Sequence, residues 1–311
     1  MLAKPMDVLT TFPVRKTKKQ KAAFRDAVQS YVQKLDYPCH IEKGSFGAQN
    51  IVIGDPENAK YLVTAHYDTS ARMIVPNFIS PCNLLVYSLY QASLIVGLVF
   101  VSVLLGTIFG AFFQRKDLAI GVALAIYWVL LLLMVIGPAN PSNANDNTSG
   151  VVTLLEILRT IPETQRHKVC FVLFDLEEAG LLGSSSYRKL HKTATNRQLV
   201  LNMDCVGDGN QMVMFPTKIL KKDRKKRTSL YKVCGYWGEK SLLVQEKGSY
   251  FYPSDQVNFP YGVGIGAFQQ GKKIGLYYSK IHTPKDTVLD AKNVNILRAA
   301  ITTFIACDAA Q

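Results

Sequence analysis

The chain has 311 residues, of which 48% are hydrophobic and 19% are charged, so it can form one large domain or two smaller ones with proper cores. This composition excludes an intrinsically disordered protein. The formal net charge of +13 comes partly from one basic segment. Because no motif for base or phosphate readout accompanies that segment, we expect no nucleic-acid partner.

The first part of the chain is basic and then becomes amphipathic. Residues 1–20 contain Lys and Arg but no apolar stretch, so we expect no cleavable signal peptide. Residues 17–35 are the first predicted helix, since apolar side chains recur there at helical spacing. Strands are predicted next at residues 49–53 and 61–65.

Two long apolar segments follow. No Asp, Glu, Lys, Arg or His occurs at positions 73–114 or 118–145. Residues 84–113 and 118–138 are each long enough to cross a hydrocarbon layer, which takes about 20 helical residues. Helices buried in a soluble core are the alternative, but residues 123–136 offer no polar face to water. We therefore predict a transmembrane hairpin that contacts the lipid bilayer through residues 84–138.

The hairpin is predicted to interrupt a single domain made of residues 1–83 and 139–311. Its turn is short, because only residues 114–117 separate the two apolar segments. Gly106 and Gly110 form a GxxxG pair that would let the helices approach closely.

The remaining elements alternate between helix and strand. Thr148 or Ser149 can cap a helix with a broad apolar face. The apolar runs 169–174 and 199–203 are typical of strands covered on both faces. Further strands are predicted at 211–215, 264–268 and 274–278, and a last helix at about 291–307. We predict an α/β fold with a mostly parallel mixed sheet flanked by helices.

The basic segment begins with Lys218 and ends with Arg227, and Asp223 is its only acidic residue. In a membrane protein, such a segment could contact anionic lipid headgroups. A solvated loop is an equally good interpretation.

The location of the domain is predicted from its cysteines and its N-terminus. The chain has six cysteines without a CxxC pair, as expected of a reduced cytosolic protein. We expect an integral membrane protein with its catalytic domain on the cytoplasmic face and the hairpin turn outside. The local count of positive residues opposes this, because Arg115 and Lys116 lie in the turn and Arg72 alone lies near the open end.

Polar residues follow three predicted strands at the point where each ends: His66 and Asp68, then Asp175, Glu177 and Glu178, then Asp204. Open α/β sheets bind ligands at this edge. Histidine nitrogens and carboxylate oxygens are the ligands that hydrolytic zinc sites use. The sequence therefore predicts a zinc site at this edge of the sheet.

Six segments occur in the order found in one enzyme family: HYD (66–68), NDNTSG (145–150), FDLEEAGLLGS (174–184), NMDCVG (202–207), SDQVNF (254–259) and HTPKDT (282–287). On these segments the chain resembles the dinuclear zinc exopeptidases, a family that includes bacterial leucyl aminopeptidases and glutaminyl cyclases. The resemblance covers residues 17–307 apart from the hairpin. It implies that two Zn²⁺ ions are the cofactors and that a peptide is the substrate.

The resemblance also implies a role for each matching residue. His66 and Asp204 would bind one zinc ion, Glu178 and His282 the other, and Asp146 would bridge the two. Glu177 would be the general base. Asp68 would orient His66, and the peptide bond after Asp146 would be cis.

Aromatic residues near the last segments, among them Tyr252, Phe259 and Tyr278, could line a substrate pocket, although about half of this aromatic set should belong to the core. We therefore predict a membrane-associated zinc aminopeptidase. The alternatives are a glutaminyl cyclase with one zinc ion and a non-catalytic membrane receptor or assembly module. The hairpin leaves the metal-bearing edge, so the active-site mouth should lie near the bilayer, although a mere anchor is equally compatible.

Overall fold

A computed structural model describes residues 2–307. Its helices are α1 (Val8–Thr11), α2 (Lys18–Gln33), α3 (Leu84–Phe112), α4 (Lys116–Ile136), α5 (Gly150–Thr160), α6 (Leu182–Leu190), α7 (Lys192–Thr195), α8 (Lys218–Lys222), α9 (Arg224–Leu230) and α10 (Ala291–Cys307). Its strands are β1 (Cys39–Lys43), β2 (Gln49–Ile53), β3 (Tyr61–His66), β4 (Val169–Phe174), β5 (Leu199–Met203), β6 (Gln211–Pro216), β7 (Gly235–Trp237), β8 (Lys240–Val244), β9 (Gly262–Gly271) and β10 (Gly275–Tyr277).

The strands form one mixed sheet in the order β1-β2-β4-β3-β5-β9-β6-β8-β7, with β10 pairing β9. The central strands β4, β3, β5 and β9 are parallel, and they are flanked by antiparallel pairs. The predicted α/β fold class is confirmed. Strands β3, β4 and β5 are fully buried, which explains why their sequences are continuous apolar runs.

Helices cover both faces of the sheet. Helices α2, α5 and α10 pack on one face around a large apolar core, and Tyr187 of α6 packs with Phe174 and Phe259 on the other. Helix α2 begins where the sequence predicts, because Thr17 and Gln20 form a capping box there.

Helices α3 and α4 pack along each other. A Cβ added at Gly106 would lie 2.5 Å from the carbonyl oxygen of Ala119, so the close approach that the GxxxG pair predicts depends on glycine. Both helices are long and apolar enough to cross a membrane. In their most apolar windows, 17% and 0% of residues are buried, which is unlike a core helix of a soluble protein.

The basic segment is divided between two places. Lys218 and Lys221 of α8 line a groove that also contains Leu84, at the start of α3. Arg224 and Lys225 of α9 instead line a cavity with Arg197. That cavity also contains Tyr61 and Leu199, the first residues of β3 and β5, so it lies at the sheet edge opposite to the one from which the chain leads into the hairpin.

Candidate metal centre

The carboxyl ends of the central strands bring the predicted site residues together. His66 ends β3, the loop after β4 carries Glu177 and Glu178, and Asp204 directly follows β5. Asp146 lies in the turn before α5, and the peptide bond from it to Asn147 is cis, as the resemblance implies. The loop between β10 and α10 contributes His282.

The carboxylate of Asp146 lies between the two histidines. Its Oδ1 is 3.2 Å from His66 Nε2, and its Oδ2 is 3.1 Å from His282 Nε2. On the first side Asp204 Oδ1 lies 3.6 Å from His66 Nε2, and on the second side Glu178 Oε2 lies 3.4 Å from His282 Nε2. The five side chains thus form two groups of ligand atoms that share one carboxylate.

These separations fit zinc. Ligand atoms about 2.0 to 2.1 Å from a tetrahedral zinc ion lie about 3.3 Å from one another. Two buried carboxylate oxygens of the cluster, Glu178 Oε1 and Asp204 Oδ1, also lack a hydrogen-bond partner among the described residues. Buried polar atoms are rarely left without a hydrogen-bond partner. The histidine nitrogens and carboxylate oxygens of the cluster are also the ligand types that zinc prefers, so the cluster fits a zinc site.

The electrostatics of the cluster are dominated by its crowded acids. Burial raises the pKa of Glu178 to about 8, and Asp146 adds to the increase while His282 opposes it. Burial lowers the pKa of His282, but Glu178 and Asp146 raise it to a net value of about 9. The pKa of Asp146 is lowered, because the hydrogen bonds from His282 and His66 outweigh its burial. A divalent cation would be favoured strongly in such surroundings.

Glu177 faces the same cluster from the side of His66 and Asp204. Oxygen and nitrogen atoms of these three residues lie within 4.8 Å of one another. Burial raises the pKa of Glu177 well above its usual value, and Glu178 and Asp204 add to this increase while His66 opposes it. A carboxyl group in this position, beside the cluster, is suited to move protons at the site.

Asp68 positions the loop that carries both glutamates. Its Oδ1 accepts a hydrogen bond from the backbone N–H of Glu177 at 3.1 Å, and its Oδ2 accepts one from Glu178 at 3.3 Å. The same Oδ1 lies 3.4 Å from His66 Nδ1. Asp68 therefore connects the histidine on β3 to the glutamates after β4.

Other residues of the motifs hold the backbone around Asp146, and the sequence analysis gives them no role. Asn147 donates to the carbonyl oxygen of Met203 at 2.9 Å, and its Oδ1 accepts from Cys205 N–H at 3.2 Å. Asn145 Oδ1 accepts from Gly207 N–H at 2.7 Å. The NDN and DCVG segments are recognisable in the sequence, but their pairing is a tertiary feature.

Asp255 is a second residue that the sequence analysis overlooks. Its side chain is fully buried, and neither carboxylate oxygen has a hydrogen-bond partner among the described residues. Burial raises its pKa to about 7, and the nearby His66 and Ser184 oppose the increase. The SDQVNF segment that contains it is the available sequence signal.

Arg15 is a third overlooked residue, because its position in a basic N-terminal segment suggests an exposed side chain. It is fully buried. Its guanidinium donates to the carbonyl oxygens of Tyr67 and Phe12 and to the hydroxyl of Thr148. The N-terminal segment is thereby fastened to the loops on either side of the metal centre.

The aromatic residues expected to line a substrate pocket are deep in the structure. Tyr252, Phe259 and Tyr278 are 5%, 1% and 6% exposed and pack within apolar clusters. The hydroxyl of Tyr252 donates to the backbone oxygen of Asp204 at 2.7 Å. Tyr252 thus supports the backbone of Asp204, and direct contact of the three aromatic residues with a substrate stays a prediction.

A cavity of about 470 Å³ opens beside the centre. It is lined by Asp68 and Glu178 on one side, and by the end of α4 and the residues that follow it, Val135 to Ala139, on another. Lys16 lies at its rim and donates to the carbonyl oxygen of Val135 at 2.8 Å. We call this space the site cavity.

Comparisons with known proteins agree with this fold. The chain resembles solved structures of the LapA aminopeptidase of Legionella pneumophila (TM-score 0.62, 16% identity, covering 99% of this chain and 72% of that one) and of a glutaminyl cyclase of Porphyromonas gingivalis (TM-score 0.60, 16%, 96% and 93%). It also resembles a Zn-dependent exopeptidase of Parabacteroides distasonis (TM-score 0.61, 17% identity, 97% and 95%). At these identities the likeness shows a common fold. No curated protein sequence matches the chain significantly.

The family is shown by the sequence itself. Residues 133–305, more than half of the chain, match the model of peptidase family M28. That segment contains Asp146, Glu177, Glu178, Asp204 and His282. The match and the fold confirm the resemblance to zinc exopeptidases, and the chain belongs to peptidase family M28.

Proposed function

We propose that this protein is a membrane-anchored aminopeptidase that uses two zinc ions. The observation that carries the proposal is the position of Asp146, whose two carboxylate oxygens each face a different histidine. His66 and Asp204 would hold one ion, and His282 and Glu178 the other, with Asp146 shared. One shared carboxylate between two such groups suits a pair of ions better than a single one.

The reaction would use the residues around this pair as follows. When bound, the two zinc ions supply Lewis acidity toward the scissile carbonyl and make a water molecule more acidic. Glu177, which faces the group formed by His66 and Asp204, takes the proton of the attacking water and returns it to the leaving amine. Asp68 keeps Glu177 and Glu178 in position through its hydrogen bonds to their backbone N–H groups.

We further propose that α3 and α4 form a transmembrane hairpin, residues 84–138, inserted into a peptidase domain of residues 1–83 and 139–311. The proposal is supported by the length of both helices and by large apolar side chains that are left exposed, such as Phe100 and Trp128 at 65% and 66%. We place the domain on the cytoplasmic face. Contact with anionic lipid is proposed for Lys218 and Lys221 alone, because Arg224 and Lys225 lie at the opposite edge of the sheet.

The decisive experiment combines metal analysis with activity. Protein purified in a mild detergent should contain two zinc ions per chain and should release aminocoumarin from a panel of aminoacyl-coumarin substrates. A chelator should abolish the activity, and added zinc should restore it. One zinc ion per chain together with cyclisation of N-terminal glutamine would favour a glutaminyl cyclase. Absence of both activities in zinc-loaded protein would favour a receptor or assembly module.

A further inference from the structure

A second cavity lies directly next to the site cavity. It has a volume of about 590 Å³ and lies between α3, α4 and the loop that contains Met73, Ile74 and Val75. We call it the hairpin cavity. Pro138, two residues after the end of α4, lines both cavities and separates them.

The hairpin cavity is apolar. Of its lining residues, Arg72 and Ser93 have polar side chains, and the others are apolar residues or glycine, among them Ile74, Leu98 and Leu133. Ile74 is completely exposed, at 102% of its reference area. An isoleucine that extends fully from a loop costs free energy in water, whereas a bilayer or an apolar ligand would cover it.

The position of this cavity along the hairpin places it inside the bilayer, given the proposed anchoring. A helix of about 20 residues spans the hydrocarbon core of a bilayer. If this core begins at the turn, it covers α3 from Phe112 back to Ser93. The cavity contacts α3 from Ser93 to Val101 and α4 from Leu130 to Met134. It therefore opens into the leaflet on the side of the peptidase domain.

The cavity is also joined to the metal centre. The backbone N–H of Met73 donates to the carbonyl oxygen of His282 at 2.7 Å, and Arg72 N–H donates to Pro138 at 2.8 Å. One loop thus lines the apolar cavity and holds the backbone of a proposed zinc ligand. A ligand in the site cavity that extended past Pro138 would enter the hairpin cavity next.

We propose that the hairpin cavity binds an apolar segment of the peptide substrate, so that the enzyme acts on hydrophobic peptides that reach it from the bilayer. The inference rests on the proposed aminopeptidase function and assigns its substrate class. The occupant is the substrate because the cavity adjoins the site cavity across a single residue, and because its Met73 loop holds the backbone of His282. A lipid acyl chain is the competing occupant, and the test below separates the two.

Two glycines of the hairpin provide a matched pair of variants. Gly97 lines the hairpin cavity, whereas Gly121 lies on α4 outside it. A Cβ added at either glycine would meet no atom within 4 Å, so a larger side chain has room to leave the backbone at both. Gly97→Leu places a side chain at the lining of the cavity, and Gly121→Leu adds the same side chain elsewhere on the hairpin.

The assay compares two dye-labelled peptides with the same N-terminal residue, one continued by five leucines and one by five serines. Wild-type protein and both variants are reconstituted in phosphatidylcholine nanodiscs, and kcat/KM is measured for each peptide. Partitioning of the leucine peptide into the bilayer is the same for all three proteins. We expect a marked preference for the leucine peptide in wild type and Gly121→Leu, and a preference about tenfold lower in Gly97→Leu, since filling an apolar pocket changes discrimination by about that factor.

Equal preferences in all three proteins would overturn the proposal and would indicate that lipid fills the cavity. An equal loss in both variants would also overturn it, because the effect would then belong to the hairpin in general. Binding of the same peptides to Glu177→Gln protein, measured by fluorescence anisotropy, gives a readout without turnover. If the proposed function fails and neither peptide is cleaved, the binding preference decides by the same criteria.

Discussion

The carboxylate of Asp286 accepts two hydrogen bonds from the backbone that carries Asp146, one from Asp146 N–H at 3.0 Å and one from Asn145 N–H at 2.9 Å. Asp286 belongs to the same HTPKDT segment as His282, so the segment that contributes one proposed ligand also fixes the bridging one. Outer residues of this kind determine how precisely the ligands are placed.

Changing Asp286 to Asn should therefore weaken zinc binding by about 10 to 100-fold, because an amide cannot accept both N–H groups with its two ends. Competition with a chromogenic chelator measures the affinity. Asp290→Asn is the control, since Asp290 pairs with Lys240 and caps α10. Equal zinc affinity in both variants would show that Asp286 has no part in placing Asp146.

Changing Glu177 to Gln should lower kcat by about 10² or more and leave the zinc content nearly intact, because the side chain is proposed to move a proton and not to bind metal. Glu178→Gln should instead lose zinc. Metal content by elemental analysis and kcat on the best coumarin substrate are measured together. Loss of zinc in the Glu177 variant alone would exchange the roles of the two glutamates.

Changing Arg15 to Ala should lower the free energy of unfolding by about 3 kcal/mol, since it leaves a buried hydroxyl and two buried carbonyl groups without their donor. Urea unfolding in detergent, followed by tryptophan fluorescence, gives the value. The exposed Arg224 provides the comparison, and Arg224→Ala should change the free energy by less than about 0.5 kcal/mol. A similar small change at Arg15 would mean that solvent replaces its contacts.

Stability should also depend on pH through His191, far from the metal centre. Its ring nitrogens lie 2.6 Å from Glu42 Oε2 and 2.5 Å from Glu57 Oε1. Hydrogen bonding to Glu42 raises the pKa of His191 above its usual 6.5, burial opposes the increase, and Glu57 adds to it. The folded state therefore binds the proton more tightly than the unfolded state. The contribution of His191 to the free energy of unfolding is complete below about pH 6.5 and is lost as the pH rises through the folded-state pKa.

The contribution of His191 is tested by comparing the melting temperatures of wild type and a His191 variant as the pH is changed. Melting temperatures of wild type and His191→Gln should converge as the pH rises above 6.5, because the wild type loses a contribution that the variant lacks. His167→Gln, at an exposed histidine, should stay parallel to wild type. A constant difference for His191→Gln over this range would contradict the assignment.

The sequence predicts most of the buried elements, although strand β8, whose first three residues are buried, is not predicted. Strands β3 to β5 and helices α2, α5 and α10 have apolar patterns that burial requires, so they are found correctly. Strand β1, CHIEK, escapes notice because it is an edge strand with partly exposed residues and no apolar run. Strand β7 is an edge strand as well and has only three residues.

The residues of the candidate site also differ in how far they can be predicted from the sequence. Residues in recognisable segments, such as His66 and His282, are available from sequence. Arg15 is not, because nothing near it in sequence shows that two of its acceptors lie 52 and 133 positions away. The backbone hydrogen bonds to Asp286 likewise depend on the meeting of two loops that are about 140 residues apart.

The orientation of the hairpin depends partly on the cations that lie near its two ends, and the structure adds one at the open end. Sequence alone places Arg115 and Lys116 at the turn and Arg72 at the open end, which favours a cytoplasmic turn. In the structure, Lys16 also lies at the open end, where it donates to Val135, and Arg115 is paired with Asp117. Two cations then lie near each end of the hairpin, and the unpaired cysteines, which a reducing compartment preserves, favour a cytoplasmic domain.

Thiol labelling of intact cells with a membrane-impermeant reagent tests this orientation. Cys39, Cys82, Cys234 and Cys307 are replaced by serine, whereas the buried Cys170 and Cys205 can stay because burial keeps them from reacting and raises the pKa of both thiols. A cysteine introduced at Gln114 should be labelled in intact cells, and one introduced at Lys225 should be labelled only after lysis. The opposite pattern would place the peptidase domain outside the cytoplasm, and the hairpin cavity would then open into the outer leaflet.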